Sequence, residues 1–500
     1  MLGKLQQAFD NVELRKKILY TLAMIAVFRV GAHVPTPFVS VEKVEEFFRN
    51  TAGGMGGGVF AMVDMFTGGA FSQMTVMALG IMPYISVQII LQVMMPVVPA
   101  LEKIRKEGEA GQKKIEQWTR YGTVVLAAFQ SLGLGLLMVK QDLVSPFLAD
   151  RPALFLFINM CAMTAGTTLL MWIGERITAK GVGNGISLII ALGIMAFFPQ
   201  GIAQGWFQIQ NGALATIWVP VIIALCIVTT VVIVLIQEGA RKIPIQHAKR
   251  TVGRRQTQAQ TNYLPLKVNT AGVIPVIFSS AILMLPQTIL GWVGADRGAG
   301  ASLGAWFSPF SQYNLYEAFN LQKESIFLLL KAANLYTLLY VILTAFFCFF
   351  YTAITFNPQD VADNLKKFGA FIPGYRPGKQ TADYIDMVLT RITTVGAVFL
   401  VSVALIPEVI SVAFEIPYGV AQFAGGTGLI IVVGVVLDTM KRIESQMLMG
   451  GYDKHKVTRG TGASSPRGPR STGSRTFNRE RRKPAGQKES APADTEKEES

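Results

Sequence analysis

Charge is missing where a soluble protein would have it. Ten apolar segments run through the 500 residues, hardly one with an ionisable side chain near its middle, and the stretch Gly181–Gln237 has none at all. A bilayer core about 30 Å thick needs ~20 apolar residues per helix, so these segments read as membrane spans. The same absence argues against an ion-coupled pump, because such proteins keep Asp, Glu, Lys, Arg or His inside the membrane as working parts. Cysteine and histidine are scarce, three of each. Cys161, Cys226 and Cys348 fall in different apolar segments without neighbouring His or Asp, which excludes a metal site or disulfide framework and leaves them as small hydrophobes. His33, His247 and His455 are equally scattered and are assigned no chemistry. The chain has no Gly-Lys-Ser/Thr phosphate loop, no HExxH, no GxSxG and no paired carboxylates within the spans. No catalytic residue, metal or cofactor is therefore expected, and energy for any directional work must come from another protein.

What is present agrees. Hydrophobic residues make up 51% and charged residues 16%, against about 25% charged in a soluble domain. The expected spans are 18–34, 75–95, 119–139, 153–173, 183–200, 214–236, 270–290, 333–356, 385–407 and 421–440, with a Gly/Pro/Gln-rich loop at Pro199–Gly212. The first span follows Arg15, Lys16 and Lys17 and runs on to Arg29 without a small-residue cleavage site, so it reads as a span and not a removed leader. Basic and charge-poor loops alternate: Lys103, Arg105, Lys106, Lys113 and Lys114 lie in one basic loop, Arg241 to Lys267 in another, Lys366 to Lys379 in a third. By the positive-inside rule both termini face the cytoplasm, as an even number of spans requires. Arg29, Arg391 and Asp438 are the nearest approach to intramembrane charge; each lies toward a segment end, where it can reach water. Residues 454–500 hold twelve basic and six acidic residues and almost nothing apolar, the composition of a disordered tail.

Three regions carry functional signal. Residues 51–73, TAGGMGGGVFAMVDMFTGGAFSQ, are too short and glycine-broken to span, yet have an apolar face; an interfacial helix and a re-entrant segment lining a cavity fit equally well. In 78–92, ALGIMPYISVQIILQ, Ile81 and Ile85 share a helix face, as Ile186 and Ile190 do later. By spacing alone such pairs are ordinary packing. The basic loops 238-EGARKIPIQHAKR-250 and 356-FNPQDVADNLKKFGAFIPGYRPGKQT-381 mix apolar residues with charge and are punctuated by Pro and Gly, which suggests defined projecting structures that touch a partner.

These strings, with GERITAKGVGNGIS (174–187), NYLPLKVNTAGVIPVIF (262–278) and GGTGLIIVVGVVLDT (425–439), closely resemble the bacterial SecY family, the central subunit of the SecYEG translocation channel, in order from about Arg15 to Glu444. The resemblance implies an all-α membrane protein of ten transmembrane helices in two pseudo-symmetric halves, 1–200 and 201–445, around an hourglass pore, with loops 237–268 and 357–384 in the cytoplasm. It implies a pore ring of Ile81, Ile85, Ile186, Ile190, Ile277 and Ile431, and a plug at 59–72 that includes Val59, Phe60, Met62, Asp64, Phe66, Gly68 and Gly69. The plug favours the re-entrant reading of that region. Spans 2 and 7 become a lateral gate with Ser86 and Leu285 near its seam, and Lys249, Arg250, Arg254, Arg255 and Arg376 a docking surface. The partners implied are the small subunits SecE and SecG, the SecA ATPase, the ribosome, the nascent polypeptide with its signal sequence, anionic lipids and accessory insertion factors. The place is the bacterial plasma membrane. His247 and Tyr375 stand where the family has tyrosine and a smaller aliphatic, and the ending after Glu444 departs from it. A small-solute transporter would share the span count but needs a polar midplane site, and an intramembrane enzyme needs catalytic residues at depth; the sequence offers neither.

Overall fold

The computed structural model describes residues 12–51, 63–212, 217–247, 251–252, 255–256, 261–293, 335–414, 421–422 and 425–460. The helices are α1 (Val12–Gly31), α2 (Val41–Thr51), α3 (Met82–Met94), α4 (Pro99–Lys106), α5 (Glu109–Lys140), α6 (Pro152–Lys180), α7 (Gly185–Gln210) and α8 (Trp218–Glu238), then α9 (Ile274–Val293), α10 (Leu335–Thr355), α11 (Pro358–Lys367), α12 (Lys379–Phe414) and α13 (Gly426–Gly460). Each of the ten expected spans contains one of them. Among the described residues five helices are long and apolar enough to cross a bilayer alone, and α3 with α4 forms a sixth candidate bent by 98°. Helix α5 has 32 residues, about 48 Å at 1.5 Å per residue, and so overshoots a 30 Å core. On α8 the side chains of Val221, Ile223, Ile227, Val228, Val231 and Leu235 are exposed, an apolar surface that only lipid or another apolar helix can cover.

Local chemistry sets the helix starts. Pro83, Pro99, Pro152 and Pro358 occupy first-turn positions, where a missing N–H costs nothing. Asn184 and Asn357 cap α7 and α11 by accepting the amides of Ile186 at 3.2 Å and Gln359 at 3.1 Å. Three buried hydroxyls are answered within their own helices: Ser279 donates to the Pro275 carbonyl at 2.8 Å, Ser280 to Val276 at 2.7 Å and Thr352 to Cys348 at 2.7 Å. That pairing lets polar side chains sit in an apolar layer.

Three expectations shift. The second span is helical only from Met82, because 68–81 turn outside any helix, with Gly68, Gly69 and Gly80 at positive φ. The Pro199–Gly212 loop is helix: α7 carries Pro199 inside it and ends at Gln210, since Ile202, Trp206, Phe207 and Ile209 with interspersed glutamines sustain a helical pattern beyond a proline kink. Helix α13 runs to Gly460, into the segment expected to be unstructured; residues 461–500 lie outside the described residues.

Helix α6 packs against α1, α5 and α7, α5 also against α3, and α10 against α12. Helix α9 packs against α10 and also against α3 and α5, which joins the two halves along one seam. The strands lie between the long apolar helices, in the basic loops. Strand β1 (Ala240–His247) pairs antiparallel with β4 (Thr261–Lys267), Ile243 opposite Leu264, and with β5 (Ala370–Phe371). Ile243, Leu266, Ile372, Ile385 and Val388 make this subdomain's own core, so the two long basic loops and the start of α12 form one folded unit.

Candidate pore, plug and docking surface

The six isoleucines come from the starts of four helices. Ile81 precedes α3 and Ile85 is in its first turn; Ile186 and Ile190 open α7, Ile277 opens α9 and Ile431 lies in the second turn of α13. Five are buried, Ile431 completely, and Ile186 is half-buried. All five belong to one continuous apolar cluster, with Ile186 packed against it, and that cluster also holds Val63, Met65, Phe66 and Phe71 from the glycine-broken segment. Two spans of each half thus contribute isoleucine to the same core.

The described part of that segment starts at Val63 with a helical turn to Thr67; Val59, Phe60 and Met62 lie outside the described residues. Asp64, 7% exposed, organises the following turn. Its carboxylate accepts the Ser72 amide at 2.8 Å and its carbonyl accepts the Gly69 amide at 3.0 Å. A carboxylate answered by main-chain amides can stay buried without a cation. Gly68 has φ +71°, and a Cβ there would lie 2.9 Å from the Gly193 Cα; one on Gly193 would lie 2.6 Å from the Phe66 carbonyl oxygen. Only two glycines let this turn approach α7 so closely. The seat has two more contacts. Arg29 of α1 donates to the Gly68 carbonyl at 3.3 Å and to the Leu192 carbonyl at 2.6 Å, and Gln422 donates to the Met65 sulfur at 2.9 Å. At a segment end the sequence predicts a side chain that reaches out to water; the structure instead shows Arg29 half-buried, bridging three elements and lining an open cavity of about 480 Å³.

Along the seam, Ser86 of α3 is buried, and α9 presents the buried Ser279 and Ser280. Leu285 is within α9, but its side chain lies outside the described residues.

Of the docking residues, Arg376 is exposed on a turn between β5 and α12, where its carbonyl accepts the Thr381 hydroxyl at 2.8 Å. Beside it Tyr375 stacks on Tyr384 with centroids 4.1 Å apart. Arg255 belongs to a two-residue strand, β3 (Arg255–Gln256), paired with β2 (Thr251–Val252); its side chain, and Lys249, Arg250 and Arg254 entirely, lie outside the described residues. Arg391 is exposed, and Asp438 is exposed and pairs with Arg442 at 3.0 Å.

Sequence reasoning missed several residues. Glu408, just after Pro407 inside α12, accepts the Thr337 hydroxyl of α10 at 2.8 Å. A Pro-Glu pair closing an apolar run was its only signal. Gly193 and Gln422 carried none, since nothing local distinguishes them from other glycines and glutamines.

The class defined by these features is a polytopic helical membrane protein whose apolar core includes its own glycine-broken segment, with no cluster of metal-ligating residues among those described. Comparison with known proteins agrees. A SecY family profile matches residues 75–440. The chain is 41% identical over 441 residues to the protein translocase subunit SecY of Escherichia coli K12, covering 88% of this chain and 93% of that one. In fold it is similar to a solved protein-conducting channel, with TM-score 0.56 and 17% identity over 90% of this chain and 94% of the other, and to canine Sec61 in a ribosome–channel complex from the endoplasmic reticulum, with TM-score 0.52, 16% identity and the same two coverages. The chain belongs to the SecY family.

Proposed function

We propose that this chain is the channel subunit of a bacterial translocase, conducting unfolded secretory polypeptides across the plasma membrane and releasing hydrophobic segments sideways into lipid. The observation that carries this reading is the close seat of the glycine-broken turn against α7. A re-entrant turn with a self-satisfied Asp64 occupies the same apolar cluster as five of the six isoleucines and is held by contacts from α1, α7 and Gln422. A sealed centre that can be unsealed is what a channel needs and a transporter or enzyme does not. In this reading Ile81, Ile85, Ile186, Ile190, Ile277 and Ile431 form a constriction that excludes ions by dewetting and yields to a moving chain, which a charged ring could not do without binding cargo.

Residues 1–200 and 201–445 act as the two halves, with Ser86 and Leu285 at the gate. The sorted basic loops support cytoplasmic termini and a cytoplasmic folded subdomain. Arg376, Arg254, Arg255, Lys249 and Arg250 meet a ribosome or the SecA motor there, since guanidinium forks suit phosphate and carboxylate alike. SecE and SecG complete the complex, and the basic tail contacts ribosome or anionic lipid. The chain does no chemistry of its own.

The test is conductance in planar bilayers. Deleting residues 60–70 is expected to turn a tight reconstituted complex into one that passes ions, and a complex that stays tight would refute the plug.

A further inference from the structure

On the face of the molecule that carries the basic loops, one hydrogen bond ties the two halves together beside the seam. The Arg105 guanidinium of α4, which belongs to the first half, donates to the main-chain carbonyl of Ile354 in the last turn of α10, in the second half. The chemistry at both ends is specific. In a continuing helix the Ile354 carbonyl would accept the amide of residue 358, but that residue is Pro358, which has no N–H to give. It is therefore an orphan acceptor at the negative end of a helix dipole, and a cation is the donor best suited to it. Arg105 is aimed at it because α3 and α4 meet at a 98° bend, with Pro99 in the first turn of α4 and Leu101 buried beneath it. Helix α9 packs against α3 and α5 of the first half and against α10 of the second. Any sideways parting of α3 and α5 from α9 and α10 must lengthen the Arg105–Ile354 bond first.

We propose that Arg105 is a strap across the mouth of the seam: it holds the halves together in the resting complex and is released when they part. This rests on the reading of the seam as a lateral gate. The strap is exposed, so it is weak enough to be released by a partner docking on that face and strong enough to bias a resting equilibrium.

The test uses the full reconstituted complex without motor or ribosome, with Cys161, Cys226 and Cys348 replaced by Ala and spin labels at Tyr121 on α5 and Ala353 on α10, both exposed. Arg105→Gln is expected to raise the population at longer label separation about fivefold, equivalent to ~1 kcal/mol for one hydrogen bond. Arg105→Lys, which keeps a cationic donor, should raise it less. An unchanged distance distribution in Arg105→Gln would overturn the strap. The same variant is expected to export a substrate lacking its signal sequence several-fold faster. A shifted distribution with unchanged export would uphold the strap between the halves and overturn instead the gate reading on which its role rests.

Discussion

Arg29 is the residue whose meaning changes most between sequence and structure. In the sequence it is a cation eleven residues into an apolar run, and the cheap interpretation is a side chain reaching for water. In the structure it spends its donors on two carbonyls that belong to different elements. Hydrogen bonds to a charged group contribute about 1.5–3 kcal/mol each, so Arg29→Gln should loosen the plug seat and raise single-channel open time roughly tenfold, with Arg29→Lys in between. An open time equal to that of the unaltered channel would show that the two bonds do not hold the plug. Asp64 illustrates the opposite case: a lone carboxylate in a glycine-rich loop reads as solvated until its amide partners are known.

At the scale of elements, composition located all ten helices because bilayer thickness dictates the length of an apolar run, but it misjudged their ends. Helix α3 starts late because glycines at positive φ turn the chain before it, and α7 outlasts Pro199 because a helix with one proline still satisfies most of its own backbone. The basic loops gave away their importance by charge and proline, yet not their architecture: the pairing of β1 with β5 joins residues more than a hundred positions apart. This makes two kinds of damage separable. Ile385 is fully buried in the loop subdomain, so Ile385→Ala should cost about 2–5 kcal/mol and expose the loops to protease. Arg376→Glu should leave protease resistance and expression unchanged while motor-driven export falls at least tenfold. Normal export by the latter variant would remove Arg376 from the docking surface.

At the scale of the whole molecule, the proposed lateral gate along α9 makes the channel a sorting device. A segment exposed to lipid there partitions by its own hydrophobicity, and one central Lys costs about 2.5–3.5 kcal/mol, roughly a hundredfold in lateral release. A Leu→Lys change at the centre of a model signal anchor should convert it from an inserted to a secreted segment, scored by protease protection in vesicles. Retention in the bilayer would mean that lipid does not reach the seam.

The sequence by itself determined the membrane, the places of the apolar helices and the sorting of charge, because these follow from the solvent preference of each residue taken alone. It also named the family, because long strings match in order. Only the tertiary structure decided that Arg29 and Gly193 meet the glycine-broken turn at Gly68, that Glu408 meets Thr337, that the two basic loops share one core, and that Arg105 reaches the carbonyl Pro358 leaves unpaired. Each of these is a meeting of residues distant in the chain, fixed by packing geometry that no local composition encodes.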